Sequence, residues 1–337
     1  MDGMKVVNPL DPELVPLYDP EFVEVYNRTG AYLPSSADVT PQESRQARAK
    51  SMPQLDRSTV SSVTDYPYGE YDEQKVRVIV PKGDRPSTGW PLYIYIHGGG
   101  WTLGNLDTEA ILLGSLANAV QSVAISVNYR HAPESPFPAA AEDAWAAFEY
   151  IQANGDRLGL DLSKVVIGGP SAGANLTEVV TQKLVSHNEQ ASSPYKQLLH
   201  QVLVIPPSDM SDRSKYPSLK KYAKSATLGA REFDNFLDQY SGGQDIVHDV
   251  RASPLLNDDK VFAKLPSATV IIAGMDPLSD EGKAYAQKLE KNGVNVDLTV
   301  LERVPHGFMF FPIEKTKQYT QLVIGAVYRA IHGKSLQ

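Results

Sequence analysis

Short, nearly continuous apolar segments alternate with helical patterns from about residue 74 onward in this chain of 337 residues. The segments "PLYIYIH", "SVAISVNY", "KVVIGG", "HQVLVI" and "SATVIIAG" have the composition of strands that helices cover on both faces of a sheet. The segment "KVRVIV" alternates apolar and basic residues instead, as an edge or antiparallel strand does. We therefore predict an α/β fold with a mostly parallel central sheet flanked by helices.

Helical patterns fill the intervals between these strands. The stretches "AAAEDAWAAFEYIQANG" and "DEGKAYAQKLEKNG" predict helices that stop at Gly155 and Gly293, because glycine readily adopts the left-handed backbone that ends a helix. "VNVDLTVL" predicts a late strand, and a final helix is expected near "KTKQYTQLVIGAVYRAIHG".

Two regions fall outside the alternation. We predict an N-terminal cap segment over residues 1–60 and a catalytic domain over residues 61–337, with a cap insertion at about residues 208–250. Both regions are placed to cover the sheet edge where open α/β folds bind ligands. Their aromatic residues either line an apolar pocket or pack between helices: Tyr18, Phe22, Tyr26, Phe233, Phe236 and Tyr240.

Composition narrows the chemistry and the partners. The fractions of hydrophobic residues, 42%, and charged residues, 21%, are those of a globular protein with a substantial core. The net charge of −8 argues against binding to nucleic acid or to an anionic membrane surface. The absence of cysteine excludes disulfides, thiolate metal sites and a cysteine nucleophile. We see no membrane span and no secretory signal, and expect a cytoplasmic protein that needs no metal or organic cofactor.

The stretch "IGGPSAGANL" places Ser171 between two glycines, in the spacing Gly169-x-Ser171-x-Gly173. It joins an apolar strand to a helix, where a sharp turn exposes a serine hydroxyl to the end of the sheet. A phosphate-binding loop is a poorer explanation, because the Gly-Lys-Ser/Thr ending is missing. A flexible turn with an idle serine stays open on this motif alone.

A second glycine motif, "HGGGW", follows the strand "PLYIYI" and spans His97–Trp101. Three consecutive glycines, Gly98, Gly99 and Gly100, let backbone N–H groups turn toward a bound oxygen without obstruction by side chains. Donors of this kind stabilise a developing oxyanion. The alternative is a plain tight turn, and His97 is expected to brace the loop that it begins.

A serine nucleophile needs a base and an acid that orients the base. Of seven histidines, His306 stands out, because "RVPHGFMFF" follows the late strand and carries its imidazole to the strand ends. Asp276 directly follows the strand "SATVII"; its alternative role is to cap the next helix, which Asp280 could do instead. The order Ser171, Asp276, His306 is the order of α/β-hydrolase catalytic triads.

With these motifs in place, the chain resembles the hormone-sensitive-lipase family of α/β-hydrolase esterases from about residue 70 to the C-terminus. The matching stretches are "HGGGW", "YRHAPESPFPAAAEDA", "GGPSAGANL", "MDPLSDEG" and "VPHGF". The resemblance implies an α/β-hydrolase fold with a helical cap, in which Ser171 is the nucleophile, His306 the general base and then acid, and Asp276 the orienting acid. The implied oxyanion donors are the N–H groups of Gly99, Gly100 and Ala172.

Two positions depart from the family pattern. The family commonly has an acidic residue where Pro170 stands and glycine where Ala174 stands. Pro170 lacks an N–H and favours an extended backbone at Gly169, which suits the end of a strand. The missing carboxylate puts substrate preference and pH dependence in question.

These observations predict a carboxylic-ester hydrolase that acts on short-to-medium acyl or aryl and acetyl esters through an acyl-enzyme. A non-catalytic small-molecule receptor on the same fold and an amide hydrolase are the alternatives. Lipase action at an oil–water interface is less favoured, because neither cap region shows a long amphipathic face. The strand "VNVDLTVL" could form an edge that pairs across a homodimer.

Overall fold

A computed structural model of the protein describes residues 5–336. The first four residues of the predicted cap segment, and Gln337 at the end of the predicted catalytic domain, lie outside the described residues. In the described part, eight strands form one sheet in the order β1-β2-β4-β3-β5-β6-β7-β8. The strands are β1 (Ser62–Pro67), β2 (Lys75–Val80), β3 (Trp90–Ile96), β4 (Val123–Val127), β5 (Leu160–Pro170), β6 (His200–Val204), β7 (Ser267–Ala273) and β8 (Val296–Leu301).

Helices connect most of these strands and extend the chain beyond them. Short 3₁₀ turns occur in several of the loops. The α-helices are α1 (Pro20–Arg28), α2 (Pro41–Ser51), α3 (Ala110–Val120), α4 (Ala139–Ala153), α5 (Gly155–Leu158), α6 (Ala172–Gln190), α7 (Pro217–Lys221), α8 (Ala230–Ser241), α9 (Asp259–Phe262), α10 (Ser279–Lys291) and α11 (Glu314–His332).

The sheet is mostly parallel, as predicted. Strands β3 to β8 pair in parallel, whereas β2 runs antiparallel to β1 and to β4. The alternating strand β2 is therefore antiparallel, but it is not an edge, because β1 covers it. Strand β1 was not predicted, because its segment "SVTDYP" has mostly exposed side chains and no apolar alternation.

Apolar side chains from both faces of the sheet form the core. On one face, Tyr93 and Tyr95 of β3 pack in a cluster with α3 and α11. On the opposite face, Ile94 and Ile96 pack with α4 and α6, and α10 packs beside α6. Each fully buried side chain of this size contributes about 1.5–3 kcal/mol to folding. This two-sided burial explains why the strands have continuous apolar sequences.

Both predicted helices end two residues before the expected glycine, but only one of these glycines has the expected left-handed backbone. Gly293 has a left-handed backbone, with φ +82°, just after α10 ends at Lys291. Gly155 instead begins the short helix α5, and Gly159, with φ +69°, ends the helical stretch. The sequence "NGDRLG" offers two glycines, and the second one has the left-handed backbone.

The segments outside the alternation pack against the rest of the fold and line the cavity at Ser171. In α1, the rings of Phe22 and Tyr26 lie 5.2 and 5.8 Å from the ring of Phe311, which precedes α11. The apolar residues of α8 join the core cluster that contains Ile96. Across residues 5–336, no helix combines the length and the apolar content needed to cross a bilayer.

His200, in β6, is held between two hydroxyl groups of the neighbouring strand. Its Nδ1 lies 2.7 Å from Ser267 Oγ and its Nε2 lies 2.9 Å from Thr269 Oγ1. Burial lowers the pKa of His200 to about 4, because the charged imidazole loses its hydration. The imidazole is therefore neutral in the folded protein over most of the pH range in which His200 of the unfolded chain becomes protonated.

Replacement of His200 by Gln is expected to weaken the acid sensitivity of folding. The pKa in the folded state lies below the value of about 6.5 in an unfolded chain, so the unfolded state binds more protons between these values. Stability is therefore lost as pH falls through that window, by about 1–2 kcal/mol from His200 between pH 7 and pH 5. Urea unfolding at both pH values measures the difference, and His248→Gln, at an exposed position, is the control. If the free energy of unfolding depended on pH equally in the parent protein and in His200→Gln, the lowered pKa of His200 would be contradicted.

Candidate active site

Three predicted site residues lie in loops that leave the same edge of the sheet. Ser171 directly follows β5, Asp276 follows β7, and His306 follows β8. The parallel pairing of β5 to β8 brings these loops together. Ser171 Oγ lies 2.8 Å from His306 Nε2, and His306 Nδ1 lies 2.7 Å from Asp276 Oδ2. The three side chains thus form one continuous hydrogen-bonded chain.

The serine turn is held in an unusual backbone conformation. Ser171 has φ +53° and ψ −125°, a combination that L residues rarely adopt. Its N–H donates to the carbonyl of Val204 in β6, at 2.8 Å, and α6 begins at the next residue. Gly173 passes so close to β3 that a Cβ atom there would lie 2.0 Å from Ile96 O. The turn therefore needs glycine, and it directs the serine hydroxyl away from the sheet.

Asp276 both orients the histidine and stabilises its own loop. Its carboxylate is fully buried, and Oδ1 accepts a hydrogen bond from the N–H of Leu278 at 2.9 Å. The other oxygen, Oδ2, contacts His306. Asp280 lies inside α10 and accepts from the N–H of Ser218, so it does not cap that helix. The N-cap of α10 is Leu278 and no side chain caps this helix, so Asp276 contacts His306 and the preceding turn but is not the helix cap that was its alternative role.

The glycine loop after β3 presents free backbone donors. Gly99 and Gly100 have φ +126° and +59°, which turn this segment toward Ser171. Among residues 5–336, no acceptor pairs with the N–H of Gly99 or Gly100. Ala172 is the first residue of α6, where an N–H has no partner within the helix. These three groups were the predicted oxyanion donors, and Gly99 and Gly100 line the cavity at Ser171.

His97 is fully buried behind the glycine loop. Its ring nitrogens lie 3.0 Å from the carbonyl of Gly98 and 3.0 Å from Asn128 Oδ1. The ring of Tyr129 stacks on the imidazole at 4.3 Å, and its hydroxyl donates to the carbonyl of His97. Burial lowers the pKa of His97 to about 4, so the ring is neutral at physiological pH. These contacts agree with a bracing role.

Helix α8 packs directly on the glycine loop. Trp101 stacks on Tyr240 with a centroid distance of 4.3 Å and an interplanar angle of 7°. The ring of Phe236 covers Gly100, where a Cβ atom would lie 2.4 Å from the Cγ atom of Phe236. Any movement of α8 would therefore change the surroundings of the glycine N–H groups.

Helix α2 holds the far side of the same loop through Arg45. The guanidinium donates to the carbonyls of Thr102 and Ala132, at 2.7 and 2.8 Å, and forms a bidentate pair with Glu134. Sequence analysis missed Arg45, because its segment "PQESRQARAK" has only the pattern of a polar helix. Its partner Glu134 lies in the motif "YRHAPESPFP", which gave the one available signal.

A cavity of about 1100 Å³ opens onto Ser171 and His306. Residues between 8 and 53 and residues between 223 and 236 form much of its wall, which is mainly apolar. Of the six aromatic residues considered above, Tyr26, Phe233 and Phe236 line the cavity. The other three, Tyr18, Phe22 and Tyr240, pack between elements. Within the described chain, no cluster of three or more His, Cys, Asp or Glu side chains could hold a metal ion.

Comparison with known proteins assigns this architecture to a family. A sequence profile for a family described as the α/β hydrolase fold matches residues 93–310. The chain belongs to the hormone-sensitive-lipase family of α/β hydrolases. AB hydrolase superfamily protein C1039.03 of Schizosaccharomyces pombe is 30% identical over 329 residues, which cover 90% of this chain and 91% of that protein.

Two further relatives of this α/β hydrolase cover most of its length. An arylesterase of Saccharolobus solfataricus is 30% identical over 332 residues, which cover 96% of this chain and 99% of the relative. The structure of EstE1, a thermophilic carboxylesterase cloned from a metagenomic library, aligns with a TM-score of 0.76 and 30% identity. The alignment covers 88% of this chain and 99% of EstE1.

Replacement of Gly173 by alanine is expected to destabilise this hydrolase by about 2–3 kcal/mol, because the added methyl group overlaps Ile96 O and no flexible side chain can yield. Gly325→Ala is the matched control. Gly325 lies in α11, where the nearest neighbour of an added Cβ atom is Arg329 Nη1, at 3.5 Å, so this change should add about 0.5–1 kcal/mol. Urea unfolding of both variants measures the difference. Equal stabilities would show that the close approach at Gly173 is not a constraint.

Proposed function

We propose that the protein is a serine carboxylesterase that works through an acyl-enzyme, with Ser171, His306 and Asp276 as its catalytic triad. The observation that carries this proposal is the 2.8 Å contact between Ser171 Oγ and His306 Nε2 at the floor of an apolar cavity. The names of the arylesterase and carboxylesterase relatives support an ester as the substrate.

Acylation begins when His306 Nε2 accepts the Ser171 proton as the hydroxyl oxygen attacks the ester carbonyl. Asp276 accepts the Nδ1 hydrogen of His306, which keeps Nε2 free as the base and stabilises the imidazolium that forms. Collapse of the tetrahedral intermediate breaks the bond to the alcohol oxygen, and His306 gives that oxygen the proton. Water then attacks the acyl-serine with His306 as base again, and the carboxylic acid leaves.

The negative charge of each tetrahedral intermediate is assigned to the N–H groups of Gly99, Gly100 and Ala172. Preorganised backbone donors of this kind are each worth about 2.7–4 kcal/mol of barrier. The α6 N-terminus adds the positive end of its dipole at the same place. The free donors of Gly99 and Gly100 support this assignment.

The cavity favours short-to-medium acyl or aryl esters with substantial apolar surface. Its wall is mainly apolar, and aromatic side chains such as Phe236 stand beside the glycine loop. We assign residues 1–60 and the insertion at about 208–250 to a cap over this cavity. The cytoplasmic location expected from the sequence stays a prediction.

Replacement of Ser171 by alanine is expected to lower kcat on a small aryl ester at least about 10⁴-fold, because no other group can form the acyl-enzyme. The same change should abolish covalent labelling by an organophosphate, detected by intact mass and mapped to the peptide that carries residue 171. Ser186→Ala removes a serine hydroxyl from the same helix, α6, where it bonds the carbonyl of Gln182. This control should keep parental activity and labelling.

The same assays separate the alternatives. A receptor on this fold would bind an apolar ester without turnover and would not react with the organophosphate. An amide hydrolase would turn over an anilide, whereas a carboxylesterase would cleave the matched ester and leave the anilide intact. Full activity of Ser171→Ala would overturn the proposed mechanism.

We also propose that β8 pairs with β8 of a second copy. It is the last strand of the sheet, so one side of its backbone has no strand beside it in the described residues. Leu298 of this strand is 39% exposed, and unpaired apolar edge strands readily associate.

Light scattering during size-exclusion chromatography should therefore give about twice the chain mass of 36.9 kDa. Leu298→Lys should shift the protein toward the monomer, because a lysine disfavours pairing at an edge. Leu256→Lys is the matched control, since Leu256 is equally exposed, at 39%, but lies outside β8. A monomeric parent protein across the accessible concentration range would exclude this dimer.

A further inference from the structure

Three consecutive residues of the predicted cap insertion, Ser225, Ala226 and Thr227, bridge two of the loops that carry the proposed triad. Ser225 Oγ donates to the carbonyl of Met275 at 2.7 Å, directly before Asp276. The Thr227 hydroxyl is directed at the carbonyl of His306 itself. This bridge therefore contacts the loop that carries Asp276 (the acid loop) at one end and the loop that carries His306 (the histidine loop) at the other.

Thr227 is held in a backbone conformation that threonine rarely adopts. Its φ is +69°, which is unfavourable for a β-branched side chain. The hydroxyl lies against two carbonyl oxygens, those of Ala226 and His306. Residues in such conformations persist where their surroundings hold them, and they concentrate at functional sites.

The contact with His306 fixes a flexible point of the chain. The next residue, Gly307, has φ +70° and no side chain, so the peptide group between them is weakly restrained by its own sequence. A Cβ atom at Gly307 would lie 3.6 Å from Thr227 Oγ1. The imidazole is thus oriented by Asp276 through Nδ1, while Thr227 restrains the backbone that carries the imidazole.

The N-terminal segment supports the same bridge through Tyr18. Its buried hydroxyl accepts from the N–H of Ala226 at 2.8 Å and lies 3.1 Å from Ser225 Oγ. Arg303, in the turn before His306, donates to the carbonyl of Tyr18 at 2.6 Å. The N-terminal segment, the insertion and the histidine loop are therefore tied together by direct hydrogen bonds.

We infer that Thr227 is a positioning residue for His306, and that Tyr18 and Ser225 hold Thr227 in place. The inference rests on the proposed function, in which His306 is the base. It means that the two cap segments set the geometry of the reacting groups as well as the shape of the cavity. Small displacements of a catalytic group lower the rate of the chemical step, so the effect should appear in kcat.

Three substitutions at Thr227 separate the effect of losing the hydroxyl on kcat from any effect on folding. Thr227→Val removes the hydroxyl and keeps the shape, and should lower kcat about 10- to 100-fold while KM changes less than about threefold. Thr227→Ser restores the hydroxyl and should stay within about threefold of the parent protein in kcat. Thr320→Val, on α11, is the control, because it removes a hydroxyl that also bonds a backbone carbonyl but lies in the final helix.

Thr227→Gly tests whether a loss of activity could come from a loss of stability. Glycine adopts φ +69° without strain, so urea unfolding should remain close to that of the parent protein although the hydroxyl is absent. Its kcat should nevertheless fall as in Thr227→Val. Loss of activity without loss of stability distinguishes positioning from a structural role.

The downfield ¹H NMR resonance of the His306 Nδ1–H, which bonds Asp276, gives a readout that needs no turnover. It should shift or broaden in the Val and Gly variants and match the parent spectrum in the Ser variant. Tyr18→Phe should also lower kcat. In the double variant with Thr227→Val, the fold-decrease in kcat should be smaller than the product of the fold-decreases in the two single variants. Both changes release the same bridge, so their effects overlap.

Two results would overturn the inference. One is a kcat within about twofold of the parent protein in Thr227→Val with an unchanged resonance. The other is an equal loss in Thr227→Ser and Thr227→Val, since the hydroxyl would then be irrelevant. A parent protein that neither hydrolyses esters nor reacts with the organophosphate would refute the proposed function instead, and the resonance would still test the bridge.

Discussion

The contact between Ser171 Oγ and His306 Nε2 joins residues that are 135 positions apart in the sequence. Its length of 2.8 Å depends on strands that end at one edge of a parallel sheet and on a serine turn with a left-handed φ. Neither condition is local to the two side chains. The buried core fixes the strand ends, and the close approach of Gly173 to β3 fixes the turn. Core packing is therefore what makes the contact between Ser171 and His306 possible.

The two segments that we propose as a cap also contact the loops of the proposed active site. Arg45 in α2 and Phe236 in α8 contact the glycine loop, whereas Tyr18 and Thr227 reach the acid and histidine loops. A ligand that displaced these segments would also move the side chains of the proposed triad. Under the proposed function, substrate selection and the geometry of the triad are consequently coupled, because the same two segments line the cavity and contact the loops of the triad.

Much of this arrangement could be predicted from the sequence, because it rests on local signals. Continuous apolar strands predicted the parallel sheet, and each site loop carried a short motif after a strand. Strand β1 was missed because its residues are mostly exposed and its apolar residues do not alternate with polar ones. Arg45 and Thr227 were missed for a different reason. Their partners lie 57 and 79 residues away, and nothing in the neighbouring sequence distinguishes them from ordinary helix or loop residues.

Pro170 shows how the sheet accommodates a departure from the family pattern. In a parallel strand, successive residues direct their N–H groups to opposite neighbours. Ser171 donates to β6, so residue 170 faces β3. The pairing between β3 and β5 ends at Tyr95 and Gly168, two residues earlier. Pro170 still pairs with Val204 of β6, but on the β3 side the ladder has already ended, so its missing N–H leaves no strand partner unsatisfied. Its ring forms part of the cavity wall beside Ser171, where the family resemblance implies an acidic residue.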